Sequence, residues 1–419
     1  MTTRRDFVQS SIAAGGAVLG LSPARVGSTP ETPTAPVVDY YRKLGVPTII
    51  NAAGTYTYLT ASLMPPEVQA AVAFAAHHSV RLRDLQNAAG AYIAQRLKCE
   101  AALVSSGAAS ALSLGTAGCM TIDKPDGAKD VPARTGSFKN EVLIQKGHRL
   151  THEHALEMCG ARLVEVDTLA DYESAFTPRT AMAFFFNAAE EGQITHEEWL
   201  RVAHGHGVPC FLDAAADVPP IANLWNYTTM GYDLVAFSGG KGIRGPQNAG
   251  LLLGRKDLIA AAAANNNPND RSVGRGMKVA KEQIVGMVAA LDWLLAQTDE
   301  AIEREARRRA GRIVAQLHDL PSLTTEVFVP PVANHVPHLM IRYDQQRIAI
   351  TPADVAIALR EGQPSIELNP ATGRTSGAAG LHSDENTIVV GPWMMKPGDD
   401  VVVGRRLREV LSGALRRHG

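Results

Sequence analysis

Apolar residues gather in short continuous runs through the middle of the chain, at 101–104, 142–144, 162–166, 181–186, 209–212, 234–237 and 250–253. They lack regular apolar/polar alternation, and longer amphipathic or small-residue stretches separate them. A strand covered on both faces needs apolar residues pointing both ways, so these runs predict a mostly parallel sheet flanked by helices. The fold class is therefore α/β. Ile284, Val288, Leu291 and Leu295 follow at helical spacing and predict a long helix. Beyond Pro321 the texture changes: a strand is expected at 336–341, a helix after Thr351 and Pro352, and a last helix from about Pro397. This pattern divides the chain into a large domain at 51–297 and, at 298–419, a linking helix with a smaller α+β C-terminal domain.

The chain has 419 residues, of which 45% are hydrophobic, enough for a substantial core. With 41 Lys and Arg against 42 Asp and Glu, the formal charge is −1, and no local basic stripe stands out, so no nucleic-acid partner is expected. The four cysteines, at 99, 119, 159 and 210, are too sparse for a disulfide framework and lack the paired spacing of a zinc site. They read as buried free thiols, and no metal site is expected. The first 25 residues have a different character. Arg4 and Arg5 precede a stretch from Phe7 to Ala24 that carries no charge and is rich in Ala, Gly and Ser. This resembles a twin-arginine export signal, which implies an exported, periplasmic protein that crosses the membrane already folded. An amphipathic or disordered tail is the plainer alternative. No membrane insertion is expected of the mature form, and residues 26–50 read as a Pro/Thr/Ser-rich linker and N-terminal arm.

Three segments carry candidate chemistry. The first runs Phe237, Ser238, Gly239, Gly240, Lys241, Gly242 and continues to Gly245 and Pro246. It places a lysine at a strand end between glycines, where a Schiff-base lysine could sit close to a cofactor. A solvated Gly-rich turn would look the same. The second, from Cys210 to Ala216, delivers Asp213 at the C-terminal end of an apolar strand, where open α/β sheets bind ligands. There an aspartate can pair with a protonated ring nitrogen, as pyridoxal phosphate requires. A helix N-cap is the alternative role. In the third, Ser105, Ser106, Gly107 and Ala108 follow a strand and open a small-residue helix, whose free N–H groups would form a phosphate cup. The order of cup, acid and lysine on strand ends of one sheet is what links them.

That order resembles the fold-type-I pyridoxal-phosphate enzymes, the aspartate aminotransferase superfamily. The resemblance narrows to the branch holding selenocysteine synthase and D-glucosaminate-6-phosphate ammonia-lyase. It is carried by Ile50-Asn51-Ala52-Ala53-Gly54-Thr55, by Leu85-Gln86 with Ala89-Gly90, by residues 100–108 and 238–247, and by the stretch from Gly274 to Gly286. By this resemblance Lys241 holds the cofactor, Asp213 contacts its ring nitrogen, and Ser106, Gly107, Ala108 and Ser238 contact its phosphate. His148 is expected to stack on the ring, with His152 and His154 as competitors. Around Leu59-Thr60-Ala61-Ser62 the relatives more often carry Gly-Gly before the serine, which puts the shape of the substrate end in question. The implied activity is a lyase: α-proton removal and β-elimination from a hydroxy amino acid or amino sugar acid, yielding a 2-oxo acid and ammonia. A racemase or epimerase, an aldolase, or a non-catalytic exported binding protein on the same fold are the alternatives. A homodimer or higher homo-oligomer is expected, with a small-molecule amino acid as the partner.

Overall fold

A computed structural model describes residues 38–187, 193–375 and 383–415. The export signal expected at 1–25 lies outside the described residues. The helix Tyr40–Leu44, capped by the Asp39 carboxylate on the Arg42 amide, belongs to a separate unit that ends at Pro47. From Thr48 onward, three sheets are formed by β1 (Ile49–Ala52), β2 (Ala101–Ser105), β3 (Glu141–Gln145), β4 (Arg162–Val166), β5 (Thr180–Phe186), β6 (Cys210–Asp213), β7 (Leu234–Ser238), β8 (Gly250–Gly254), β9 (Leu323–Phe328), β10 (His338–Tyr343), β11 (Ser365–Leu368) and β12 (Thr387–Val390).

All seven expected apolar runs are strands of one seven-stranded sheet, in the order β2-β8-β7-β6-β5-β3-β4. Only β8 is antiparallel to its neighbours, so β2, β3, β5, β6 and β7 end on the same edge and β8 begins there. Side chains alternate between the faces. Leu143, Phe185, Leu212 and Val235 enter one core with Trp199, while Ile144, Phe184, Phe211 and Ala236 enter the other. The helix Gly107–Thr121 lies on the second face and is buried from Ser110 to Thr121. It can lie that close because Gly115 has no side chain: a Cβ there would come within 2.4 Å of the Phe211 ring.

The C-terminal part forms a second core around an antiparallel sheet in the order β12-β10-β9. The expected helices appear as Pro352–Arg360 and Asp399–Gly413, and the expected strand as β10. One boundary differs from expectation. Residue 51 falls inside β1, whose ladder is the parallel one with β11, and Ala52 packs in the C-terminal core beside Leu339 and Leu407. The strand therefore belongs with the far end of the chain, and the following segment leads from that core back to the large sheet.

Candidate active site

Asp213 ends β6 and is buried, 4% exposed, with its Oδ1 accepting the Ala215 amide at 2.9 Å. Burial raises its pKa, and the charges of Lys241 and His152 draw it back toward the ionised form. One strand over, Ser238 ends β7 and opens the loop that returns to β8. That loop is closed by the Gly239 amide on the Ala249 carbonyl (2.8 Å) and the Gly245 amide on the Gly239 carbonyl (2.7 Å). The flanking glycines meet protein backbone directly: a Cβ on Gly240 would lie 2.7 Å from Gln247, and one on Gly242 would lie 1.8 Å from the Val218 carbonyl oxygen. Among the described residues, the Lys241 ammonium makes no hydrogen bond or ion pair. Burial lowers its pKa, opposed by Asp213 and Asp217.

The phosphate-cup segment reaches the same edge. Ser106 precedes the helix Gly107–Thr121 without capping it through its side chain, so among the described residues no N-cap side chain occupies the helix N–H groups. The buried Ser110 hydroxyl also lacks a partner among the described residues. Gly250, at the start of β8 and in register with Ser105 and Ser238, packs so tightly on Gly107 that a Cβ would fall 2.3 Å from its carbonyl carbon. Free N–H groups, an orphaned hydroxyl, a buried carboxylate and a partly desolvated lysine on one sheet edge are the donor set that a phosphorylated pyridine aldehyde needs.

A segment from the N-terminal side braces the lysine loop. The Ser62 amide donates to the Gly240 carbonyl (2.9 Å), Arg244 Nε to the Leu63 carbonyl (3.0 Å) and Gln247 Nε2 to the Thr57 carbonyl (2.9 Å). Thr60 and Ala61, where Gly-Gly was the expected pattern, both hold left-handed backbone, with φ of 63° and 56°. Two consecutive non-glycine residues in this region store strain. Thr60→Gly is expected to stabilise the fold by about 0.5–1 kcal/mol, strain relief outweighing the added entropy of the unfolded chain, as a higher urea midpoint would record.

His148 packs edge-on against Phe185, with ring centroids 4.6 Å apart, and its Nε2 lies 3.1 Å from Gln193 Oε1. Alternation along β5 and β6 puts Phe185 and Leu212 on one face of the sheet, and Phe186 and Asp213 on the other. His148 thus lies across the sheet from Asp213. The exposed His152 stacks over Phe186, on the Asp213 face, within electrostatic reach of Asp213. Sequence reasoning also missed Asp217, a buried carboxylate within electrostatic reach of Asp213 and Lys241. Its signal was an acid four residues beyond the first, in the run Asp213-Ala214-Ala215-Ala216-Asp217. A separate cluster of His204, Cys210 and Asp233 lies toward the other end of β6. There Asp233 is already held by Arg255, His204 and the Cys210 amide, which makes the cluster a structural ion-pair network.

The fold and this edge define a pyridoxal-phosphate enzyme. Residues 161–373 match the Aminotransferase class-V family, and the chain belongs to it. Among curated relatives, it is similar to a 5'-C-glycyluridine monooxygenase-decarboxylase from a Streptomyces species, 28% identical over 88% of this chain and 92% of that protein. It is also similar to the D-glucosaminate-6-phosphate ammonia lyase of Salmonella typhimurium, 25% identical over 89% and 98% of the two chains. An L-seryl-tRNA(Sec) selenium transferase of Aquifex aeolicus is 24% identical over 53% of this chain and 58% of its own. A solved structure of a D-glucosaminate-6-phosphate ammonia-lyase shares the fold, with a TM-score of 0.75 at 24% identity over 90% of this chain and 99% of that one.

Proposed function

We propose that this protein is a lyase that removes ammonia from an α-amino acid bearing a β-hydroxyl on a sugar-derived chain. The observation that carries the reading is the juxtaposition of Lys241, held below the usual lysine range by burial, with Asp213 at the sheet edge beside a free helix N-terminus. Two relatives similar over most of the chain are named for a glycyluridine and a glucosaminate, both amino acids on a sugar skeleton, which supports the substrate class.

Pyridoxal phosphate, when bound, supplies an electron sink for the carbanion left at the substrate α carbon. The chain's own residues divide the remaining tasks. Lys241 would hold the cofactor through its ε-nitrogen. The same amine, when free, would act as the base for the α proton, and its lowered pKa increases the neutral fraction available near pH 7. Asp213 would hold the ring nitrogen through its buried carboxylate. Ser106, Gly107, Ala108 and Ser238, with the orphaned Ser110 hydroxyl, would hold the phosphate, and His152 the exposed ring face. Departure of the β-hydroxyl as water, followed by hydrolysis of the C–N bond, balances to one 2-oxo acid and one ammonia per amino acid.

The test is an assay of purified, cofactor-loaded protein on β-hydroxy amino acids and amino sugar acids. Stoichiometric 2-oxo acid and ammonia are the expected products, formed equally well without oxygen. Inversion at the α carbon with no ammonia would replace the lyase reading with a racemase. Oxygen-dependent release of carbon dioxide would replace it with an oxidative decarboxylase, the second reading, which the 28% identity to the Streptomyces enzyme favours.

A further inference from the structure

We propose that Asp217 is a positioning residue for Lys241: its buried carboxylate, on the turn whose Val218 carbonyl packs against Gly242 of the lysine loop, is the counter-charge for the lysine amine once Asp213 is committed to the cofactor. This rests on the assignment of Lys241 and Asp213 to the cofactor site. Asp217 is 3% exposed, and both of its side-chain hydrogen bonds fall on Oδ2, from Asn187 Nδ2 at 2.6 Å and Tyr227 Oη at 3.0 Å. Among the described residues Oδ1 is left without a partner. The charged and titratable groups around it are Asp213 on β6, Lys241 on the loop after β7 and Tyr227 on the helix Asn223–Met230.

Charge counting gives the reason. Two buried carboxylates and one partly buried ammonium leave one negative charge uncompensated, which is costly away from bulk water. A protonated ring nitrogen held by Asp213 would cancel it and leave Asp217 as the remaining anion within electrostatic reach of Lys241. Without that group, burial and the Asp213 charge push Asp217 up to about 7, so it is only partly ionised near neutral pH.

The orientation of Asp217 is fixed from behind by a relay. The Asn187 amide donates to both Asp217 and the Tyr227 oxygen (2.9 Å), while its Oδ1 faces His196 Nε2 at 3.1 Å. His196 is drawn down to about 4 by burial and by His148, so it is neutral. With Nδ1 2.7 Å from the Tyr232 hydroxyl, the consistent pattern is Tyr232 donating to Nδ1 and Nε2–H donating to Asn187 Oδ1. That pattern allows one amide orientation only, with the NH₂ group toward Asp217.

The experiment uses the full chain with Asp217→Asn, Asp217→Glu and Tyr227→Phe. Removing the anion disfavours the charged lysine, so its titration midpoint must fall. In cofactor-free protein, the pH profile of Lys241 reductive methylation, read by peptide mass spectrometry, should shift down by about one unit in Asp217→Asn. The visible-absorbance midpoint of the loaded protein should shift in the same direction. Asp217→Glu should recover most of the shift. Tyr227→Phe should give a smaller shift of the same sign, because loss of its hydrogen bond favours protonation of Asp217, and it serves if Asp217→Asn does not fold. Unchanged midpoints in a folded variant overturn the proposal. A wild-type protein that never acquires visible absorbance while the methylation shift persists would overturn the cofactor assignment alone.

Discussion

Lys241→Ala should purify as a stable protein that takes on no visible colour with pyridoxal phosphate and yields no borohydride-trapped adduct. Its turnover should be at least about a thousandfold below wild type, since both the covalent attachment and the base are lost. Stability should be equal or higher. The lysine makes no hydrogen bond or ion pair among the described residues, and its burial is unfavourable to the charge it carries. Thermal unfolding separates this outcome from general damage: an unchanged melting temperature with lost colour assigns the loss to chemistry. A coloured, fully active Lys241→Ala protein would remove the basis of the proposed function.

Gly242→Ala should be the most disruptive single-methyl change in the lysine loop. The added Cβ would sit 1.8 Å from the Val218 carbonyl oxygen and 2.7 Å from its carbon, and neither is the end of a movable side chain. Relief requires shifting either the loop that holds Lys241 or the turn that follows Asp213 and Asp217, so acid and lysine separate. A destabilisation of about 3 kcal/mol is expected, the upper end of the cost of overpacking, together with weakened cofactor retention. Gly276→Ala meets open space and is the control that should leave both unchanged. Equal stability of the two variants in a denaturant titration would mean that the loop adapts more freely than its packing suggests.

The large sheet was legible in the sequence because strands buried on both faces leave an uninterrupted apolar signature, and every one of those seven runs forms a strand of it. The C-terminal sheet was only partly legible. β9 carries exposed threonines and a glutamate, and β11 is four residues long, so neither stands out from a loop. The pairing of β1 with β11 joins distant segments and leaves no local trace. The placement of Asp213, Lys241 and the Ser106 turn on one sheet edge was readable because each closes or follows an apolar run, and strand ends in a parallel sheet share an edge. The two histidines could not be separated in the sequence for a geometric reason: His148 and His152 follow the same strand, and only the face each ring meets on β5 distinguishes them. Asp217 went unread because its partners, Asn187 and Tyr227, come from other elements.

The ladder between β1 and β11 has a consequence for the order in which the protein is made. A nascent chain could complete the seven-stranded sheet once residue 254 has left the ribosome, with Asp213 and Lys241 already aboard. The segment that buttresses the lysine loop, however, starts from a strand whose hydrogen-bonding partner is not translated until residues 365–368. A polypeptide truncated before that point would therefore keep Asp213 and Lys241 without the strand pairing that anchors the brace of the lysine loop.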